Sequence, residues 1–562
     1  MTTSIQPAIA SILTPFLIAA HFICAAPAAS AASPTPVSVD HGPEWDAQKR
    51  DEFYSLDQGS HIMPLAWIKA LKAADGSPFM ADSLQRYGYL PNDASPAKLP
   101  VGFTASGLPG KESIGMTCAA CHTRQVEHDG KSYRIDGGPA MADFQALMSD
   151  LDAAVGSVIN SAPAFADFAR SVLGTAHGPE DAKTLRQTVS DWHVRNTALM
   201  SHSLPKANSW GPGRLDAVSM IFNRLTGLAL GGPPTYLIPN NIKLADVPVR
   251  YPFLWNASKQ DKTQWAGFAS NDNEFVRLGR NVGQALGVFA LFRPVKDGSP
   301  PNGINYMAEN SVNFENLKRL EILTTFIGPP RWPWPLDQAL AAKGAKIYDT
   351  ECATCHGTSS RPTPWETKIE PIDDVRTDYR QLVMLQRTAS AGVLAGAAFP
   401  LEIPPLGNED AAGRILLNAV LGSLFNFYFP PLPAPPRGDV EAARSAIEDA
   451  RKRSAEPAQK PGFEARVLDG VWAAAPYLHN GSVPTLADLL KPAAERTPSF
   501  KVGPAYDPKA VGLASEQTHF GAVLTTTDCS DRGSGNSRCG HEYGTTLDRD
   551  QKAALLEYLK KL

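Results

Sequence analysis

No lysine or arginine precedes Lys49, no methionine follows Met384, and cysteine is scarce, with seven in 562 residues. The scarcity excludes a small disulfide-dense scaffold, in which cysteine frames the fold. Charge of neither sign dominates, and the net of −4 argues against a nucleic-acid partner. A long apolar run is missing too. Ile12 to Ala26 comes nearest, but Pro15 and His21 interrupt it and it is short for a membrane span, so no transmembrane anchor is expected. Ala29-Ser30-Ala31 follows as a small-residue cleavage pattern. Residues 1–31 therefore read as a signal peptide, although the usual basic start is missing, and the mature chain is expected to be periplasmic or secreted.

The seven cysteines sort into groups. Cys24 lies in the apolar leader. Cys529 and Cys539 stand in a Gly/Ser-rich polar segment, where an exported protein is expected to join them as a disulfide. The other four form two copies of one pattern, Cys118-Ala-Ala-Cys121-His122 and Cys352-Ala-Thr-Cys355-His356. Two thiols at this spacing, with a histidine directly after the second, are the attachment signature of c-type haem. Each thiol forms a thioether to one porphyrin vinyl group, and the adjacent histidine is held under the iron. Two covalently bound haem c groups are the expected cofactors, carried by Cys118, Cys121, His122 and by Cys352, Cys355, His356.

The 48 prolines and 44 glycines imply many loops and short helices. Helical periodicity appears over Met63–Ala74, Asp82–Tyr89, Phe144–Val158, Pro163–Leu173, Ala182–Met200, Glu274–Phe292 and Ile415–Phe427. A charged helix is expected at Val440–Ser454. Tyr133 to Pro139 reads as a turn. Asp337–Thr350 is an amphipathic helix running into Cys352, and its Gly344 suits a close crossing with a last helix at Leu547–Leu562. The expected fold is mainly α: two cytochrome c-like haem domains with long loops and few strands. The N-terminal domain would cover 32–330 and the C-terminal one 331–562, divided at the Pro/Trp-rich stretch Phe326–Pro335.

The sixth ligand of each iron decides function, because a strong one gives electron transfer and an open position gives O2 or peroxide chemistry. With no methionine after Met384, the usual thioether ligand is excluded for the second haem. His479, His519 and His541 remain. His541, beside the expected disulfide and just before the last helix, is the first choice, and His479, in a rigid Pro-flanked turn, is the alternative. For the first haem, His128, His177, His193 and His202 lie in no ligand-like loop, while Met141, Met148, Met200 and Met220 stay open as ligands or core residues. An aromatic cluster at 251–268 is a candidate wall for a distal pocket or ordinary core.

Longer motifs carry a resemblance. Asp57-Gln-Gly-Ser60, Arg86-Tyr-Gly-Tyr-Leu-Pro91, Leu99-Pro-Val-Gly-Phe103, Arg134 to Ala140, Trp210 to Asp216, Tyr251-Pro-Phe-Leu-Trp-Asn256, Trp472 to Leu490 and Gly540-His-Glu-Tyr-Gly544 resemble the RoxA-like di-haem cytochromes. That group includes rubber oxygenase and fatty-acid dioxygenases, with bacterial di-haem cytochrome c peroxidases as distant relatives. The resemblance implies His122 as proximal ligand of a catalytic haem with O2 as co-substrate opposite it. It also implies a pocket that includes Trp255 and Phe268 and a bis-histidine second haem, His356 with His541. The expected activity is a dioxygenase acting on C=C bonds of an apolar small molecule or polymer, with Trp255, Trp265 and Phe268 lining the pocket and a soluble redox partner at the second haem. A di-haem peroxidase is the second expectation and a non-catalytic electron carrier the third.

Overall fold

The computed structural model describes residues 35–206, 208–358, 363, 365–398, 404–430, 441, 445, 448, 460–517 and 519–562. The expected signal peptide, Cys24 and nearly all of the charged helix expected at Val440–Ser454 lie outside them. Residues Pro36–Leu562 form one compact unit. Among the described residues no helix is long and apolar enough to cross a membrane.

The expectation of a mainly α fold is overturned. The chain is 40% helix and 16% strand, a mixed fold. Its described strands form two three-stranded and seven two-stranded sheets. The reason is strand length. Pieces of two to six residues between Pro and Gly turns are too short for alternation to stand out in sequence. The region around the first motif shows it best. Strand Ser113–Met116 leads into Cys118, and strand Thr123–His128 leaves His122. The latter pairs with Lys131–Asp136, across the stretch expected to be a turn. Asp129 and Gly130 join them with φ of 48° and 69°, the two positive values a tight hairpin turn needs.

The helices follow sequence logic more closely. Phe144–Ile159 starts at the Asp143 cap, and Ala162–Leu173 starts at the Ser161 cap with Pro163 in its first turn. Leu65–Ala70 and Gln85–Tyr87 are shorter than periodicity implied, and Leu215–Leu230 resolves into Ala217–Phe222 plus a π-helical Asn223–Gly227. The expected crossing of the last helix is present. Gln338–Glu351 packs on Arg549–Lys561, whose start is fixed by an Asp548/Gln551 capping box and whose end carries Lys560 and Lys561. Gly344 sits where any Cβ would overlap the Ala554 carbonyl, and Tyr348 meets Tyr558 at 5.3 Å between ring centres. This pair delivers Cys352 and His356 to the core.

Candidate functional site

Each motif folds as a single helical turn, Cys118–Cys121 and Ala353–His356. The turn closes through the histidine amide: His122 N–H donates to the Cys118 carbonyl at 3.0 Å and His356 N–H to the Cys352 carbonyl at 3.0 Å. The two histidines are then anchored alike. His122 Nδ1 lies 2.9 Å from the Pro252 carbonyl and His356 Nδ1 lies 2.7 Å from the Arg466 carbonyl. A carbonyl can only accept, so Nδ1 carries the proton and Nε2 is left as the ligating nitrogen. Burial pushes His122 down to about 4 and lowers His356, so both are neutral as a metal requires. Burial also pushes the thiols of Cys118, Cys121 and Cys352 up to about 11, 12 and 11.

Beyond these anchors the two sites differ. The cavity at His356, about 1320 Å³, is lined by His541, His479, Arg250, Trp265 and Leu555 among others. The His541 ring centre is 6.1 Å from that of His356. Two imidazole nitrogens each about 2 Å from one metal would set their ring centres roughly 6 Å apart. His541 Nδ1 is buried without a hydrogen-bond partner, and burial next to His356 and Arg496 pushes the ring down to about 3. His479 lines the same cavity but stacks on Phe463 at 3.9 Å.

The loop that presents His541 is held from three directions. Gly540, at φ 78°, lies so close to 375–377 that a side chain would overlap backbone there. His541 N–H donates to the Val375 carbonyl at 2.7 Å. Arg496, fully buried, donates to the carbonyls of Arg538, Gly540 and His541. Cys529 and Cys539 form the expected disulfide directly before it. No sequence signal had singled out Arg496.

The cavity at His122, about 730 Å³, is lined by Cys118, Phe253, Arg280, Gln284, Glu321 and Arg466 among others, and among the described residues His122 is the only histidine or methionine on its walls. The aromatic cage expected here is not assembled. Trp255 is buried behind Phe253, stacked on it at 4.6 Å, with its Nε1–H donating to the Asp469 carbonyl. Trp265 lines the His356 cavity instead, and Phe268 is 51% exposed. The physical reason is that 251–268 is an irregular crossing segment: its Pro252 carbonyl serves His122 while Trp265 reaches the other site. Phe253, Glu464 and Arg466 line both cavities and so form a common wall. Arg466 stacks on Phe253 at 3.9 Å.

These residues fit haem c. Cys352 and Cys355 line one cavity with His356, and Cys118 lines another with His122. In addition, Arg250 Nη1 and Arg466 Nε and Nη1 are buried without hydrogen-bond partners, as suits a group bearing carboxylates. The class that fold and site define is a haem c protein.

The comparisons agree at that level. A family described as RoxA-like, cytochrome c-like matches residues 462–501, the segment that contributes Glu464, Arg466 and His479. A RoxA-like cytochrome domain is thus present, and it supports haem c as cofactor and a haem-dependent oxidoreductase as the type of protein. The chain is also similar to two uncharacterised proteins of Sinorhizobium fredii (strain NBRC 101917 / NGR234). It is 29% identical to y4iJ over 92% of both chains, and 27% identical to y4iM over 58% of this chain and 66% of that one.

Proposed function

We propose that the chain is an exported di-haem oxidoreductase, a dioxygenase that uses O2 to oxidise C=C bonds of an apolar substrate beside His122. Cys118, Cys121 and His122 would hold the catalytic haem. Cys352, Cys355, His356 and His541 would hold a six-coordinate one that exchanges electrons with a soluble partner. When bound, haem supplies the O2 and one-electron chemistry that side chains lack. The observation that carries this reading is the asymmetry: an imidazole faces His356, while the walls at His122 offer no second histidine or methionine.

The chain's own residues then have defined tasks. Pro252 fixes the tautomer and orientation of His122. Phe253 and Leu254 give the cavity its apolar side. Arg280 is tied to Glu321 at 2.6 Å, which keeps the polar side of the cavity rigid. Oxygen uptake by the haem-loaded protein with oleate or polyisoprene, without peroxide or reductant, tests the reading; absence of uptake with every unsaturated substrate overturns it.

One observation favours a second reading. Glu464 brings to the same cavity a carboxyl that burial raises above its ordinary value, a group able to take and give a proton as reduction of peroxide would need, and Arg280 and Gln284 add hydrogen-bond donors. Sustained peroxide-dependent oxidation of a reduced cytochrome would establish it. Two low-spin haems, neither of which exchanges ligand, would leave only electron transfer.

A further inference from the structure

A third cavity, about 1310 Å³, lies apart from both motifs: none of their cysteines or histidines lines it. One side is apolar, made by Trp67, Leu225, Leu228, Leu286 and Phe289. The other brings together Arg195, Arg224 and Arg293.

These guanidinium groups are under-partnered. Arg224 belongs to the π-helical stretch Asn223–Gly227, an irregularity that often marks a functional position. It stacks on Phe289 at 4.2 Å, but its Nε is buried without a hydrogen-bond partner, and its side chain makes no hydrogen bond or ion pair among the described residues. Arg293 pairs with Glu309 through Nη1 at 2.7 Å, leaving its buried Nε unpartnered. Arg195 donates through Nη1 to the Thr235 carbonyl at 2.6 Å. Among the described residues Asp191 is the one acidic residue on the walls, and it accepts from Gln187 at 2.8 Å. Burial, then the charge of a neighbouring guanidinium, pushes Arg224 down to about 9 and Arg195 to about 10. Like charges crowded out of water cost free energy that an anion would offset.

We propose that this cavity is a binding site for an organic carboxylate, its anion held by Arg224, Arg195 and Arg293 and its apolar body against Trp67, Leu228 and Phe289. The planar guanidinium fork matches a carboxylate. The apolar wall selects an organic anion over a small inorganic one. The site goes beyond the proposed reaction and does not depend on it, because binding is measured without turnover.

Calorimetric titration of the haem-loaded protein with 4-phenylbutyrate, 4-phenylbutanol and inorganic phosphate tests it. Phenylbutyrate should bind, and the neutral alcohol should bind at least about tenfold more weakly. Arg224→Gln should weaken phenylbutyrate by about tenfold or more with the visible haem spectrum unchanged. Arg195→Gln, on the long Pro179–Ser203 helix, gives the same reading should Arg224→Gln fail to fold. No heat with phenylbutyrate, equal affinity for the alcohol, equal affinity for phosphate, or undiminished binding in the variants would overturn the assignment.

Discussion

The surroundings of His122 and His356 start alike and end apart. Both rings follow a pair of thiols on one helical turn, and both give Nδ1–H to a carbonyl from a distant part of the chain. Across from His356 stands His541, on a loop fixed by Gly540, Arg496 and a disulfide. The cavity at His122 has Arg280, Gln284 and Glu321 from two helices, Glu274–Gly287 and Phe314–Phe326, and no second imidazole. The lesson is that the local motif sets the proximal side only. The opposite side is built by whichever segments the fold brings over it, and there two like motifs acquire different surroundings.

Removing His541 is the most severe way to break this contrast. In His541→Ala the low-spin six-coordinate signature of the second haem should be lost completely in electron paramagnetic resonance, while His479→Ala should keep it. The reverse result would exchange their roles.

The frame beneath the second site can be tested next. Gly344→Val forces apart the crossing of Gln338–Glu351 on Arg549–Lys561, an overpacking cost of about 3 kcal/mol read from the denaturant midpoint.

A pH-dependent probe of the same half is Asp378, whose carboxyl accepts the amide of Ser537. Burial raises it from an ordinary 3.8 to about 6. A raised folded-state value means that the fold favours the protonated form. Its contribution is fully present below about 3.8 and is lost as pH rises through about 6, at most about 3 kcal/mol. Unfolding free energy measured from pH 3.5 to 7 should fall less steeply in Asp378→Asn than in the parent.

Opening the loop ahead of His541 is milder. Cys529→Ser should cost about 2 to 3 kcal/mol by loop entropy, seen as a lower denaturant midpoint. The smallest effect belongs to Phe268→Ala. At 51% exposure it should change stability by less than about 0.5 kcal/mol and leave oxygen uptake unchanged. A large loss of uptake would return Phe268 to the site and undo the boundary drawn here around His122.

Much of this was legible beforehand, for identifiable reasons. Covalent attachment demands a fixed spacing, so both CxxCH motifs stood out, and the cysteine pair stood out because cysteine is scarce and these two share one polar segment. The crossing at Gly344 could be read because helix contact leaves a period and a small residue. The sheets could not, since strands of a few residues carry no period, and the stretch read as a turn from Tyr133 overlaps the strand Lys131–Asp136. The aromatic run at 251–268 does not make a shared pocket, because neighbours in sequence on an irregular segment turn to different surroundings. Trp255, Trp265 and Phe268 face three different surroundings.

By itself the amino-acid sequence marked the cysteines and histidines that are candidates to hold haem and narrowed the candidate sixth ligands, because bonding spacing and residue type are local properties. Only tertiary structure decided that the Pro252 and Arg466 carbonyls orient the two rings, that Phe253 and Arg466 stand between two cavities, and that Arg496 secures the His541 loop. A backbone carbonyl exists at every position, and a buried arginine has no spacing rule. Their roles arise where distant segments meet, and that meeting is settled by packing over the whole chain.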